Sequence, residues 1–178
     1  YFGDMIPSLS TICPSESKIF AFEVDPISHN LARETLRLNL IHNCILFNMA
    51  LWSSPTNLAC ESQYTSELKL GGKSSALPIS DERYKARQNI KHFVSAVSID
   101  SLSLGNISCI QLDLEGGELM ALKGAIKTIK SYSPLIILED NSLPIQNLMT
   151  SIGYINSGRC ANDYIWENSI ANNFILNH

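Results

Sequence analysis

At 178 residues the chain is long enough for one domain with one sizeable core, since single domains run to roughly 100–200 residues. Hydrophobic residues make up 45% and charged residues 17%, which excludes a disordered or low-complexity chain. Lys and Arg number 13 against 17 Asp and Glu, a formal net charge of −4; this mild acidity argues against nucleic acid as a partner, because neutralising phosphates takes a basic face.

Tyr1-Phe2-Gly3-Asp4 reads like the middle of a loop, so the sequence is expected to begin inside a domain. Lys18-Ile19-Phe20-Ala21-Phe22-Glu23 is a short apolar run ending in an acid, which predicts a buried strand. Asp25 then stands as an N-cap before Pro26, a residue tolerated in a first helical turn. Ile27, Leu31, Leu38 and Ile41 follow at helical spacing and predict an amphipathic helix over 26–42. Cys44-Ile45-Leu46-Phe47-Asn48 reads as the next strand.

Residues 53–92 are rich in Ser, Gly and polar side chains and alternate only weakly, so they are expected to form an irregular insertion, with room for a hairpin. His92-Phe93-Val94-Ser95-Ala96-Val97 predicts a strand, and Asp100 caps the short turn after it. Cys109-Ile110-Gln111-Leu112-Asp113 is a second apolar strand closed by an acid. Leu119, Leu122, Ile126 and Ile129 predict one helix over 116–131, stopped by Pro134. Leu135-Ile136-Ile137-Leu138-Glu139 is a third strand ending in an acid. Ile145, Leu148, Met149 and Ile152 mark a helix closed by Gly153, and strands at 154–156 and 163–166 flank a turn.

Strand–helix alternation with apolar strands implies a parallel sheet covered on both faces. The last two strands, with no helix between them, predict an antiparallel hairpin at one edge. The expected fold is therefore α/β, a Rossmann-like doubly wound, mostly parallel sheet, built as a single domain over 1–178.

Cys13, Cys44, Cys60, Cys109 and Cys160 are odd in number and irregularly spaced, so they form neither a disulfide framework nor a metal clip, and a reducing cytoplasm is the expected location. His29, His42, His92 and His178 show no metal-ligand spacing, so no metal is expected. The longest apolar runs are four residues, against the ~20 a membrane span needs, and no basic-then-apolar leader precedes the first strand.

Ligands of open parallel sheets bind beyond the carboxyl ends of the strands, where Glu23, Asp113 and Glu139 stand. Glu23 occupies the position from which an acid accepts hydrogen bonds from a nucleoside ribose; the alternative is a rim carboxylate bonded to backbone amides. In Asp113-Leu114-Glu115-Gly116-Gly117-Glu118 the acids either serve chemistry or complement the start of the next helix. Gly116 and Gly117 are costly in a helix interior and more naturally let a ligand or another backbone come close. The locally basic Asp81-Glu82-Arg83-Tyr84-Lys85-Ala86-Arg87 stretch reads as a solvated loop.

Ala21-Phe22-Glu23-Val24-Asp25-Pro26, Asn39 and Asn43, Ala50-Leu51, and Ile99-Asp100-Ser101-Leu102 together resemble the FkbM family of methyltransferases. Ile110-Gln111-Leu112-Asp113-Leu114-Glu115-Gly116-Gly117-Glu118, followed by Leu122-Lys123-Gly124-Ala125, is similar to that family's "K-I-D-V-E-G-x-E … L-x-G-A" segment, with Gln111 where the family has lysine. The resemblance implies a class I methyltransferase sheet, with S-adenosylmethionine as cofactor and the first strand and leading glycines lying before Tyr1. Glu23 would then bind the ribose, with Phe2, Gly3 and Val24 also at the cofactor. Asn48-Met49-Ala50 would lie against the adenine, and Asp113 would face the methionine half or the acceptor. Gly72, Ser74 and Ser75 resemble a Gly/Ser segment near the pocket.

The implied reaction is methyl transfer to a hydroxyl oxygen of a sugar or natural product, with Asp113 the first choice for general base, Glu115 the second and His92 the third. A nicotinamide-dependent oxidoreductase and a non-catalytic Rossmann-like module remain the alternatives. Nothing in hydride transfer, however, calls for the Asp-x-Glu-Gly-x-Glu segment.

Overall fold

The structure, a computed structural model, describes residues 5–61, 75–78 and 90–169. The chain divides into two compact units, Tyr1–Ala50 with Thr56–Ala96, and Leu51–Pro55 with Val97–His178.

The first unit opens with α1 (Met5–Ile12), a helix that the apolar pattern did not announce. It buries Ile6, and Ser10 Oγ donates to Asn43 Oδ1 at 3.0 Å. Strand β1 (Ile19–Phe22) runs parallel to β2 (Cys44–Phe47), with Ile19 opposite Cys44 and Phe22 opposite Phe47. The Phe22 and Phe47 rings stack at the carboxyl end of the pair with centroids 5.0 Å apart. Between the strands, α2 (Pro26–Leu38) starts where predicted, capped by Asp25 with proline in its first turn.

Helix α2 ends four residues earlier than its apolar spacing predicts. Asn39 donates its backbone and side-chain N–H groups to Thr35 O, and Leu40 turns left-handed at φ 52°. Its buried residues are Ser28 and Ala32, whereas the predicted core face, Ile27, Leu31 and Leu38, is exposed. The helix packs against β2 and α1 and is seated by its small side chains.

Strand β3 (Ala50–Leu51) crosses the boundary between the units. Within the stretch 53–92, expected as an irregular insertion with room for a hairpin, the described residues form paired strands. Strand β4 (Thr56–Glu61) pairs antiparallel with β5 (Ser75–Pro78) on one side and β6 (Ile90–Val97) on the other. Leu58, Ala59 and Cys60 of β4 are all buried in succession, so the period-two alternation that announces a half-exposed strand is absent. Gly72, Ser74 and the basic stretch 81–87 lie outside the described residues.

The second unit contains a 3₁₀ turn (Ile99–Ser101), β7 (Cys109–Leu112), α3 (Glu118–Lys123), α4 (Ile126–Tyr132), β8 (Leu135–Leu138), α5 (Leu143–Ser151), β9 (Tyr154–Cys160) and β10 (Asp163–Asn168). Its sheet runs β7-β8-β10-β9: β7 and β8 are parallel, and β10 is antiparallel to both β8 and β9, giving the expected edge hairpin. The core gathers Leu112, Leu122, Ile129, Ile136, Leu138, Ile145, Met149 and Tyr154, with the Tyr154 hydroxyl donating to Pro134 O at 2.8 Å.

The single helix predicted over 116–131 is two helices broken at Gly124-Ala125. Asp100 makes the second start possible. Its carboxylate accepts from the backbone N–H of Lys127 and Thr128 and from Thr128 Oγ, so it caps α4 rather than its own 3₁₀ turn. Among the described residues, no helix is long and apolar enough to cross a membrane.

Candidate functional site

In the first unit the chemistry collects in the turn between β1 and α2. The last ladder bond runs from Glu23 N to Phe47 O at 3.0 Å, and beyond it the carbonyls of Glu23 and Val24 accept no backbone N–H among the described residues. Side chains supply the missing donors. Asn48, just past the end of β2, donates through Nδ2 to Glu23 O at 2.8 Å and to Val24 O at 3.3 Å. His92 of β6 places Nε2 3.0 Å from the same Val24 O, and since a carbonyl only accepts, this nitrogen carries the proton.

The Glu23 side chain folds into its own turn. Oε1 accepts from Asp25 N at 2.9 Å, while Oε2 accepts no hydrogen bond among the described residues. Asp25 is 2% exposed, and its Oδ1 takes the N–H groups of Ile27 and Ser28, both at 2.9 Å. Burial, followed by the nearby Asp25 and Glu23 carboxylates, pushes the Cys60 thiol of β4 up to about 12. That thiol is a buried packing group and stays protonated at neutral pH, so it is no nucleophile there. Met49 is half-buried and Ala50 fully buried, which leaves Ala50 little side-chain surface for a bound ring. Phe2 and Gly3 lie outside the described residues.

In the second unit the acids follow β7 and β8. Asp113 is exposed just past the buried Leu112, and Glu115 and Gly116 have φ of 51° and 102°. The second value is one that glycine adopts without strain. Glu118 closes this turn from inside: it is 1% exposed, and its Oε1 and Oε2 accept from Leu114 N at 2.7 Å and Gly116 N at 3.0 Å. Both carboxylate oxygens are thereby spent on backbone donors, which makes Glu118 an organiser of the turn. Gly117 is buried, and a Cβ added there would stand 3.3 Å from Leu114 Cβ and 3.6 Å from the Trp52 ring.

A cavity of about 330 Å³ is lined by Glu115, Gly116, Glu118, Glu139 and Asp140. One ligand oxygen each from Asp113, Glu115 and Glu139 lies within 4.8 Å of the others, a spacing that a cation could bridge. Asp140 is committed to Ser142, accepting from its N–H and its hydroxyl. Asp113 has no hydrogen-bond partner among the described residues.

Of the three strand-end acids, Asp113 and Glu139 come together with Glu115 at the ends of β7 and β8, Glu139 and Glu115 lining the cavity, and Glu23 belongs to the first unit's turn. Asn48 was expected against a ring, and its donors face two backbone carbonyls. His92, the third choice for general base, holds Val24 O. The pairing of His92 with Val24, 68 positions apart, leaves no trace in local sequence; a polar residue just past a strand end, as Asn48 is, is the readable sign of the contacts to this turn.

These features define an α/β protein with strand-end carboxylates beside a cavity. The Methyltransferase FkbM domain model matches residues 2–156, and the chain belongs to that family. A crystal structure of the methyltransferase FkbM from Methylobacillus flagellatus KT has a similar fold, with a TM-score of 0.64 at 15% sequence identity. The similarity covers 93% of this chain and 40% of that one, so this chain spans less than half the length of that protein. Among curated proteins none matches.

Proposed function

We propose that the protein transfers a methyl group from S-adenosylmethionine to a hydroxyl oxygen of a sugar or natural-product acceptor. Family membership supports methyl transfer, and the observation that carries the cofactor is Glu23. One of its oxygens is fixed on Asp25 N, and the other accepts no hydrogen bond among the described residues, which leaves it as an acceptor for a ribose hydroxyl. In this reading the chain is one methyltransferase domain of Rossmann-like, doubly wound type, since the family model runs through both units. Phe2, Gly3, Val24, Met49 and Ala50 complete the cofactor's surroundings. All five cysteines are thiols, which suits a reducing cytoplasm.

S-adenosylmethionine, when bound, would supply a sulfonium methyl open to in-line attack by an oxygen nucleophile, with the neutral thioether as the leaving group. This chain's part is alignment and proton transfer. Asp113, a carboxylate with no hydrogen-bond partner among the described residues, accepts the hydroxyl proton as general base, with Glu115 the second candidate. The acid-lined cavity suits a polyhydroxylated acceptor, because carboxylates accept hydrogen bonds from hydroxyls.

Calorimetry with S-adenosylmethionine on the intact protein tests the central assignment. Glu23→Ala is expected to weaken binding by about 10-fold or more, the range of a charge-assisted hydrogen bond. Equal affinities for the two proteins would remove Glu23 from the cofactor site. Labelled methyl transfer onto a panel of hydroxylated sugars tests the acceptor class.

A further inference from the structure

We propose that Asn48 and His92 form a two-point carbonyl clamp that fixes the direction of the Glu23 carboxylate, so that both are positioning residues for nucleoside binding. The inference rests on the reading of Glu23 as the ribose acceptor.

The turn from β1 to α2 contains two carbonyls, Glu23 O and Val24 O, that the parallel ladder leaves behind. A carbonyl without a donor is free to rotate with its peptide plane, and each rotation moves the side chain attached next to it. Asn48 Nδ2 lies within reach of both carbonyls, at 2.8 and 3.3 Å, and His92 Nε2 takes Val24 O from another strand at 3.0 Å. Both peptide planes flanking Val24 are thus held from outside the turn.

The N–H side of the same turn is held from within it. Asp25 N binds Glu23 Oε1, and the N–H groups of Ile27 and Ser28 bind Asp25 Oδ1. The combined result is a carboxylate with one oxygen locked and its backbone immobilised, so Oε2 is presented in one direction before any ligand arrives. Preorganisation of that kind removes an ordering cost that binding would otherwise carry. Asn48 and His92 themselves need not touch the ligand.

Their chemistry is specified as well as their place. Both partners of Asn48 are acceptors, so the amide must offer its NH₂ group and not its oxygen. Aspartate in its place would set a carboxylate against two carbonyl oxygens. At position 92 glutamine keeps an N–H on a side chain of similar reach, and alanine does not.

The experiment measures S-adenosylhomocysteine binding to the intact protein by calorimetry, with a thermal melt on each variant. Asn48→Ala and His92→Ala are expected to weaken binding by about 3- to 10-fold each, the scale of a net hydrogen bond. Asn48→Asp should weaken it further, and His92→Gln should restore most of the loss. A change in packing alone would not alter ribose selectivity. The preference for adenosine over 2′,3′-dideoxyadenosine as competitor is therefore expected to shrink in Asn48→Ala.

The decisive arm is the double variant. In the Glu23→Ala background, Asn48→Ala should cost less than about twofold, because the group it positions is gone. If the two losses multiply, or if Asn48→Asp binds like the wild type, the clamp is refuted while the Glu23 assignment stands. If Glu23→Ala alone binds like the wild type, the assignment itself fails and the clamp falls with it.

Discussion

Gly124 breaks the predicted helix, and adding one methyl group there tests why. Its backbone sits at φ −80° and ψ 0°, ordinary for any residue, so Gly124→Ala adds no dihedral strain. By itself the change would stabilise by roughly 0.4–1 kcal/mol, because alanine restricts the unfolded chain. The surroundings forbid it. The new Cβ would overlap the Trp52 carbonyl oxygen and stand 3.0 Å from both Trp52 C and Ser98 Cβ. The obstacle is backbone that cannot drift aside, since Trp52 N is bonded to Val97 O at 2.8 Å and Gly124 O receives Asp100 N at 2.8 Å.

Overpacking of a rigid site costs about 1–3 kcal/mol or more. The overlap is with backbone, so the upper end of that range applies, and subtracting the entropic gain leaves a net loss of about 2 kcal/mol, a large share of a stability of roughly 5–15 kcal/mol. At a urea m-value of about 2 kcal/mol per molar, the midpoint should fall by about 1 M. The fluorescence of the buried Trp52 and Trp166 reports the transition, and Gly158→Ala, where a Cβ meets nothing within 4 Å, is the control. A midpoint for Gly124→Ala equal to or above the wild type would refute the close-approach explanation of the helix break.

Two further outcomes are expected. The Cys60 thiol and the Tyr154 hydroxyl are both pushed up to about 12 by burial, from ordinary values of 9.0 and 10.0. The unfolded chain therefore sheds these protons at lower pH than the folded one. The stabilisation is fully present below pH 9 and is lost as pH rises from about 9 through about 12, so urea midpoints at pH 8 and pH 10.5 should differ, the alkaline value being lower. Midpoints that hold constant across that interval would contradict the burial of both groups. Asp113→Asn should leave S-adenosylhomocysteine affinity within about twofold and lower turnover about 100-fold or more, the usual scale of a general base. Wild-type turnover with a working acceptor would exclude Asp113 as the base.

The strands β1, β2, β7 and β8 and the cap at Asp25-Pro26 were legible in the sequence because each depends on residues adjacent in the chain: a short apolar run, an acid, a proline. The rim acids were legible for the same reason, since position at a strand end is a local property. Tertiary structure alone decided which face of α2 is buried. Ile27, Leu31 and Leu38 carry the apolar pattern, yet the neighbouring elements admit Ser28 and Ala32. It also decided the break at Gly124, the capping of α4 by Asp100, the burial of Glu118 against two backbone amides, and the hold of Asn48 and His92 on the β1–α2 turn. These depend on one atom meeting another from a distant stretch of chain, and no local periodicity encodes a meeting of that kind.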